Sequence, residues 1–230
     1  MRYNAKTVRR IPMMNEKLVL KKLNDRPLSG SINISASKSE SNRLLLINAL
    51  AKTPLELGNL SMARDTQTMK SLLQTQPEIW DVKDAGTTMR FLTAYLAIKG
   101  HEAIITGTER MKNRPIGPLI DALRILGANV SYEEKDGYPP LRISKLEAQG
   151  ADRIEIPGNI SSQYISALLM IAPCLPKGLE IELTTEIFSR PYIEMTLKLM
   201  ELFGVNHEWQ GQVIRIAPQA YEARQATYSV

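Results

Sequence analysis

Cysteine occurs once in these 230 residues, at position 174, and histidine twice, at positions 101 and 207. A single thiol forms no internal disulfide, so a reducing, cytoplasmic setting is the default. Two distant histidines, with no HExxH motif and no Cys/His cluster, offer no metal site. Aromatic residues make up only 6% of the chain, which is poor in the stacking residues that accompany the basic stripe of a nucleic-acid binder. No apolar run approaches the roughly 18 residues that would nominate a membrane span, and no signal-peptide pattern opens the chain. Cys174 stands in an apolar Ala-Pro-Cys-Leu stretch with no flanking cation to lower its pKa, and reads as a core thiol rather than a nucleophile.

What is present in excess is positive charge, +5 with a pI near 9.3. The densest basic cluster, Arg9-Arg10 with Lys17, Lys21 and Lys22, falls in the first 25 residues and reads as a solvated extension. The remaining cations of interest stand singly at polar loops. That distribution suits a small anionic ligand better than a polymer.

Three such loops run straight into apolar helices: residues 35–43 (SASKSESNR), 84–90 (DAGTTMR) and 159–164 (NISSQY). A helix N-terminus presents unpaired N–H groups and the positive end of the helix dipole, so each loop is a candidate anion site. The helices behind them carry Leu44 to Ala51, Phe91 to Ile98 and Ile165 to Ile171. All three are apolar nearly all round, which predicts burial on most sides. They end at Pro54, at Lys99-Gly100, and at Pro173 with Pro176, residues that stop or cap a helix.

A strand-like run follows each helix: residues 55–57, 103–106 and 179–183. An arginine-bearing turn comes next, at Arg64, Arg114 or Arg190, and then a second helix, clearest over residues 119–126 and 193–203. Residues 129–133 with 141–144, and 207–209 with 213–216, read as two closing strands for the second and third units. The pattern is β-α-β-α-β-β at a spacing of about 75 residues, the mark of an internally repeated architecture. Three units that cannot each bury an apolar face alone account for one shared core.

The motifs resemble those of the 5-enolpyruvylshikimate-3-phosphate synthase family. The signature at 35–43, DAGTTMR at 84–90, RPIGPL at 114–119, SSQY at 161–164 and SRPYI at 189–193 occur in the family's order across about 160 residues, and five motifs in register make a specific signal. The resemblance implies an α/β fold of three βαβαββ repeats about a pseudo-threefold axis, helices inside and sheets outside. It places the repeats near 28–82, 83–155 and 156–218 within a domain spanning 21–230. Residues 1–20 are expected to be an extension or strand belonging with a second domain. In the family two such domains face each other across a cleft, and this chain resembles the N-terminal half.

The family transfers the enolpyruvyl group of phosphoenolpyruvate to the 5-hydroxyl of shikimate 3-phosphate, releasing phosphate through a tetrahedral intermediate, without a cofactor or metal. By similarity, Lys38 touches both substrates as a catalytic point charge, either proton donor or phosphate stabiliser. Ser39, Arg43, Ser161, Ser162, Gln163, Ser189 and Tyr192 would hold shikimate 3-phosphate. Gly86, Arg114 and Gln163 would hold phosphoenolpyruvate. The partners implied are the two small substrates and the missing C-terminal domain, in a monomer, with no nucleic acid and no membrane. The chain alone is expected to be folded but inactive.

Plainer readings stand beside these. Ser39, Ser161 and Ser189 suit helix caps, Gly86 a simple turn, Arg43 and Arg90 surface ion pairs, and Tyr192 packing. Lys38 is harder to explain without a ligand, because a cation at a helix N-terminus opposes the dipole. One departure from the family is Asp84, where Asn is usual. Its carboxylate is expected to cap the helix at the N–H of Thr87 or Thr88 and point away from the ligand. Two rival assignments are a UDP-N-acetylglucosamine enolpyruvyl transferase, disfavoured because residues 109–113 hold no cysteine, and a nucleic-acid module of similar repeats, disfavoured because no nucleophilic histidine stands near a nucleotide loop.

Overall fold

Ser37 closes the first loop by accepting the backbone N–H of Glu40 at 3.3 Å, and helix α1 (Lys38–Leu50) begins there. The computed structural model describes residues 30–32, 34–99 and 102–230. The expected N-terminal segment 1–20, the basic cluster, the capping Gly100 and His101 lie outside the described residues.

Local chemistry punctuates the chain as its composition predicts. The Asn48 side chain accepts from the N–H of Leu55 at 2.6 Å and donates to its carbonyl at 3.1 Å, pinning the turn from α1 into strand β1 (Glu56–Gly58). Helix α2 (Arg64–Thr75) follows, and Gln76 in the left-handed region ends it. Strand β2 (Ile79–Asp81), helix α3 (Gly86–Lys99), strand β3 (Ala103–Thr106), the single-turn helix α4 (Glu109–Lys112) and helix α5 (Gly117–Ile125) come next, then β4 (Asn129–Tyr132) and β5 (Leu141–Ser144). The chain continues through β6 (Arg153–Ile156), α6 (Ser162–Ile171), β7 (Leu179–Leu183), α7 (Arg190–Leu202), β8 (Glu208–Gln210), β9 (Val213–Ile216) and β10 (Thr227–Ser229). Pro118 and Pro191 occupy first-turn positions of α5 and α7, where a missing N–H costs nothing.

The repetition is visible in the sheets. One has the order β2-β3-β5-β4 and another β6-β7-β9-β8; in both, the first two strands pair in parallel across a helix and the rest antiparallel. Their first strands lie at Ile79–Asp81 and Arg153–Ile156, so the second sheet reaches back ahead of residue 83. Among the described residues the first repeat departs from the chain order of the other two. Only residues 76–78 separate α2 from β2, which leaves no room for a closing pair of strands. β1 instead pairs in parallel with β10 from the other end of the chain, in the place that β2 and β6 take beside β3 and β7. Tyr228 of β10 donates to Glu40 of α1 at 2.8 Å, fixing that strand to the helix layer. Beside β1 a groove of 290 Å³ opens, lined by Leu45, Ala49, Leu57, Leu60 and Leu73.

Residues from Ala36 to Val230 pack as one unit with the helices inward. Every residue of α3 from Gly86 to Ala97 is buried, as is all of α6 except Gln163. Strands alternate buried and partly exposed positions, with Ile105, Ile143 and Ile181 turned to the core. Each such side chain contributes about 1.5–3 kcal/mol on burial. Helix α1 departs from the all-round burial its sequence predicts: Leu45, Asn48 and Ala49 are only half-buried, along the groove beside β1. Cys174 departs as well. The helix breakers Pro173 and Pro176 turn it outward at a 3-10 turn, so that it is exposed while Pro173 and Leu175 are buried. Desolvation by the surrounding chain still pushes its thiol up to about 11, leaving it protonated at neutral pH.

Candidate functional site

The first turns of α1, α2, α3 and α6 adjoin, and polar side chains tie them together. Lys38, the first residue of α1, places Nζ 3.6 Å from Asp65 Oδ2, in the first turn of α2. The Asp65 carbonyl accepts from Thr88 Oγ1 of α3 at 3.0 Å. Thr87 Oγ1, beside it, accepts from Gln163 Nε2 of α6 at 3.1 Å. With several helix N-termini meeting at one end of the layer, their unpaired N–H groups and positive dipole ends are pooled there.

Gly86 opens α3 and is buried. A Cβ built on it would stand 2.8 Å from both Cζ and Nη2 of Arg114, closer than real side chains approach. The missing side chain is what lets the guanidinium rest on the α3 backbone. Arg114 is itself exposed. Its pKa is lowered by desolvation first, then by the nearby charges of Arg90 and Arg110, against opposing effects of Asp65 and Tyr164. Behind it, Pro115 O accepts from both Arg90 Nη2 (3.1 Å) and Tyr164 Oη (2.7 Å).

The serines divide. Ser161 caps α6, accepting from Gln163 N at 3.4 Å, and Ser162 is buried in the first turn. Ser39 is not the cap of α1, a place taken by Ser37; it lies within the helix, half-buried, and its carbonyl accepts from Arg43. Ser189 sits at the N-cap position of α7 with φ 55°, makes no capping bond and is exposed. A non-glycine residue rarely holds that left-handed conformation.

Arg43 is no surface residue. It is 2% exposed; Nε donates to Thr196 Oγ1 at 2.7 Å, Nη2 to Ser166 Oγ at 3.0 Å and Nη1 to Ser39 O at 2.9 Å. Its Cζ lies 5.4 Å from the Phe91 ring centroid and 5.8 Å from that of Tyr192, and burial lowers its pKa to about 10. Three of its five N–H groups are used inside the fold. Tyr192 remains 44% exposed, at the rim.

Asp84 corrects the sequence-based expectation. Its carboxylate makes no capping bond to α3 and instead lies 3.5 Å from Arg64 Nη1 of α2. Among the described residues no side chain caps the N–H groups in the first turn of α3. Asp65, Thr87, Ser166, Thr196, Arg90 and Tyr164 were not among the candidate residues. The legible signal for Ser166 and Thr196 was a hydroxyl on an otherwise apolar helical face; Asp65 carried none.

Around the site, Met62 and Phe188, just before α2 and α7, are exposed apolar residues at the same helix N-termini. Among the described residues no three of His, Cys, Asp and Glu gather as a metal site, and no helix is long and apolar enough to cross a membrane.

The chain is similar to known proteins in sequence and in fold. A 3-phosphoshikimate 1-carboxyvinyltransferase of Bacteroides fragilis is 51% identical over 195 residues, 84% of this chain and 47% of that protein. One from Histophilus somni is 39% identical over 254 residues, covering 93% of this chain and 58% of that protein. The solved structure of an EPSP synthase from Acinetobacter baumannii has the same fold, with a TM-score of 0.76 over 87% of this chain and 49% of that one at 17% identity. The chain thus spans about half the length of the relatives it matches. The sequence model described as EPSP synthase (3-phosphoshikimate 1-carboxyvinyltransferase) matches residues 23–76 and 70–230, and this chain belongs to that family.

Proposed function

We propose that this chain forms the shikimate-3-phosphate side of the cleft of an enolpyruvyl transferase, which a second domain completes. The observation that carries the reading is the meeting of Lys38, Gly86 with Arg114, and Gln163 at adjoining helix N-termini. Both substrates carry phosphate and carboxylate groups, and such an end of a helix layer attracts anions without a metal.

In this reading Arg114 and the N–H groups behind Gly86 bind the phosphoenolpyruvate phosphate, and Gln163 reaches both ligands. Ser161, Ser162 and Ser189 hold the shikimate phosphate, with Ser39, Arg43 and Tyr192 along the ring. Lys38 lies between the substrates. Its ion pair with Asp65 is exposed enough to exchange for a ligand, since such pairs are worth about 0–1 kcal/mol. With a proton added at the methylene carbon and the hydroxyl proton removed by groups of the second domain, the 5-hydroxyl oxygen adds to the enolpyruvyl carbon and builds a tetrahedral centre; loss of a methyl proton together with phosphate restores the double bond, and Lys38 stabilises the phosphate that leaves. The enzyme works as a monomer in the cytoplasm.

Thermal unfolding of this chain with millimolar shikimate 3-phosphate, against unphosphorylated shikimate, tests the half-site. A midpoint rise specific to the phosphorylated ligand supports it. Joining the second domain then has to give phosphate release that needs both substrates and is lost in Lys38→Met. Phosphate release unaffected by that substitution, or absent from the joined protein, counts against the proposal.

A further inference from the structure

Arg90, one turn into α3, is only 5% exposed, and the plain reading of a surface ion pair does not describe it. Its described partners are two carbonyls and a ring. Nη1 donates to Gly86 O at 2.9 Å, Nη2 donates to Pro115 O at 3.1 Å, and Cζ stands 5.5 Å from the Tyr164 ring centroid. Its Nε is buried without a hydrogen-bond partner. Among the described residues no carboxylate pairs with it, so this buried cation facing carbonyls and π electrons keeps its field, and holding it there is costly.

The two carbonyls explain what that cost achieves. Gly86 opens the helix whose N-terminus faces the anion, and Pro115 follows the arginine that rests on Gly86. The planar guanidinium places a separate amino group on each carbonyl at a fixed spacing; a lysine offers a single rotatable ammonium nitrogen and does not hold the two carbonyls at that spacing. We infer that Arg90 is a positioning residue for the phosphate clamp, joining the Gly86 turn to the Pro115 turn so that Arg114 and the α3 N–H groups face one anion. The inference rests on the reading that Arg114 and Gly86 hold the phosphoenolpyruvate phosphate. Tyr164 is the second brace on Pro115 O, through its hydroxyl.

The test uses the enzyme completed by its second domain. Arg90→Lys keeps the charge and loses the bridge. It is expected to raise KM for phosphoenolpyruvate about tenfold while KM for shikimate 3-phosphate stays within about twofold. Tyr164→Phe, which leaves Arg90 in place, shifts KM in the same direction by less, and keeps the question open to measurement should Arg90→Lys fold poorly. Because Arg90 acts through Arg114, adding Arg90→Lys to Arg114→Ala is expected to cost little beyond Arg114→Ala alone. Additive losses, or equal weakening of both substrates, overturn the inference. A crystal structure of the 230-residue Arg90→Lys or Tyr164→Phe chain separates this from the functional reading. Arg114 displaced from Gly86 supports the brace even if the completed enzyme has no transferase activity, and Arg114 still seated there in both variants overturns it.

Discussion

Arg114 rests on the backbone of Gly86, and a methyl group at that glycine would meet its Cζ and Nη2 at 2.8 Å. Gly86→Ala therefore acts through the arginine rather than by touching the ligand alone. Losing the clamp removes a charge-assisted contact worth about 1.5–3 kcal/mol. In the completed enzyme, KM for phosphoenolpyruvate is expected to rise by roughly tenfold or more, with binding of shikimate 3-phosphate, measured by calorimetry, nearly unchanged.

Asp84 pairs with Arg64 at 3.5 Å, and both side chains are substantially exposed. Such a pair is worth about 0–1 kcal/mol. Asp84→Asn is expected to shift the unfolding free energy by less than about 1 kcal/mol, and urea denaturation checks it. A larger loss would show that the carboxylate has a helix-capping role absent from this geometry.

Thr196 accepts from Arg43 Nε at 2.7 Å and adjoins Ser166 Oγ at 2.9 Å, in a buried cluster that joins α1, α6 and α7. Thr196→Val keeps the shape and strands a buried guanidinium donor. The expected loss is about 1–3 kcal/mol, read as a lower urea midpoint with unchanged slope. Thr196→Ser restores most of it.

Ser189 holds φ 55° without a capping bond. Glycine takes that conformation freely, so Ser189→Gly is expected to stabilise the chain, or at worst leave it unchanged, with a gain of up to about 1 kcal/mol. It should nonetheless weaken shikimate 3-phosphate, since the hydroxyl is gone. A stabilised variant with full affinity would remove Ser189 from the site.

Tyr221 is buried, donates to Met170 O at 2.8 Å, and burial raises its pKa well above 10. The unfolded chain loses this proton from about pH 10 upward while the folded chain keeps it. Folding stability from Tyr221 is thus complete below pH 10 and is lost as pH rises, by about 1.4 kcal/mol per pH unit. Arg43, lowered to about 10, runs the other way: its neutral form suits the folded state, so its penalty is relieved as pH rises above about 10. Tyr221→Phe is expected to cost about 1 kcal/mol at pH 7 and, with the Tyr221 loss gone and the opposing Arg43 gain kept, to turn the stability profile upward above about pH 10 relative to the parent chain. An unchanged slope would mean that Tyr221 titrates normally.

Much of the fold was legible because periodicity and punctuation are local. Strands β3, β5, β7 and β9 fall on the residues their alternation predicts, and α3 and α6 begin at the loops whose glycine and serines announce them. That no strand pair stands between α2 and β2 was not legible from the helices around them. It shows in the three residues between α2 and β2, and its consequence, β10 pairing with β1, joins segments some 170 residues apart. Cys174 misled because apolar neighbours predict burial of a stretch, whereas two prolines decide which of its residues turns outward.

The sequence by itself determined the elements, the family motifs and the loops with anion-binding chemistry, since these depend on neighbours within a few turns of chain. Only the tertiary structure decided how those groups are used: Arg43 buried among hydroxyls, Asp84 paired with Arg64, Arg114 seated on Gly86 with Arg90 behind it. Each of those outcomes depends on which helix packs beside which. Charge and hydrogen-bonding groups choose partners by distance in space, and no local pattern encodes that distance.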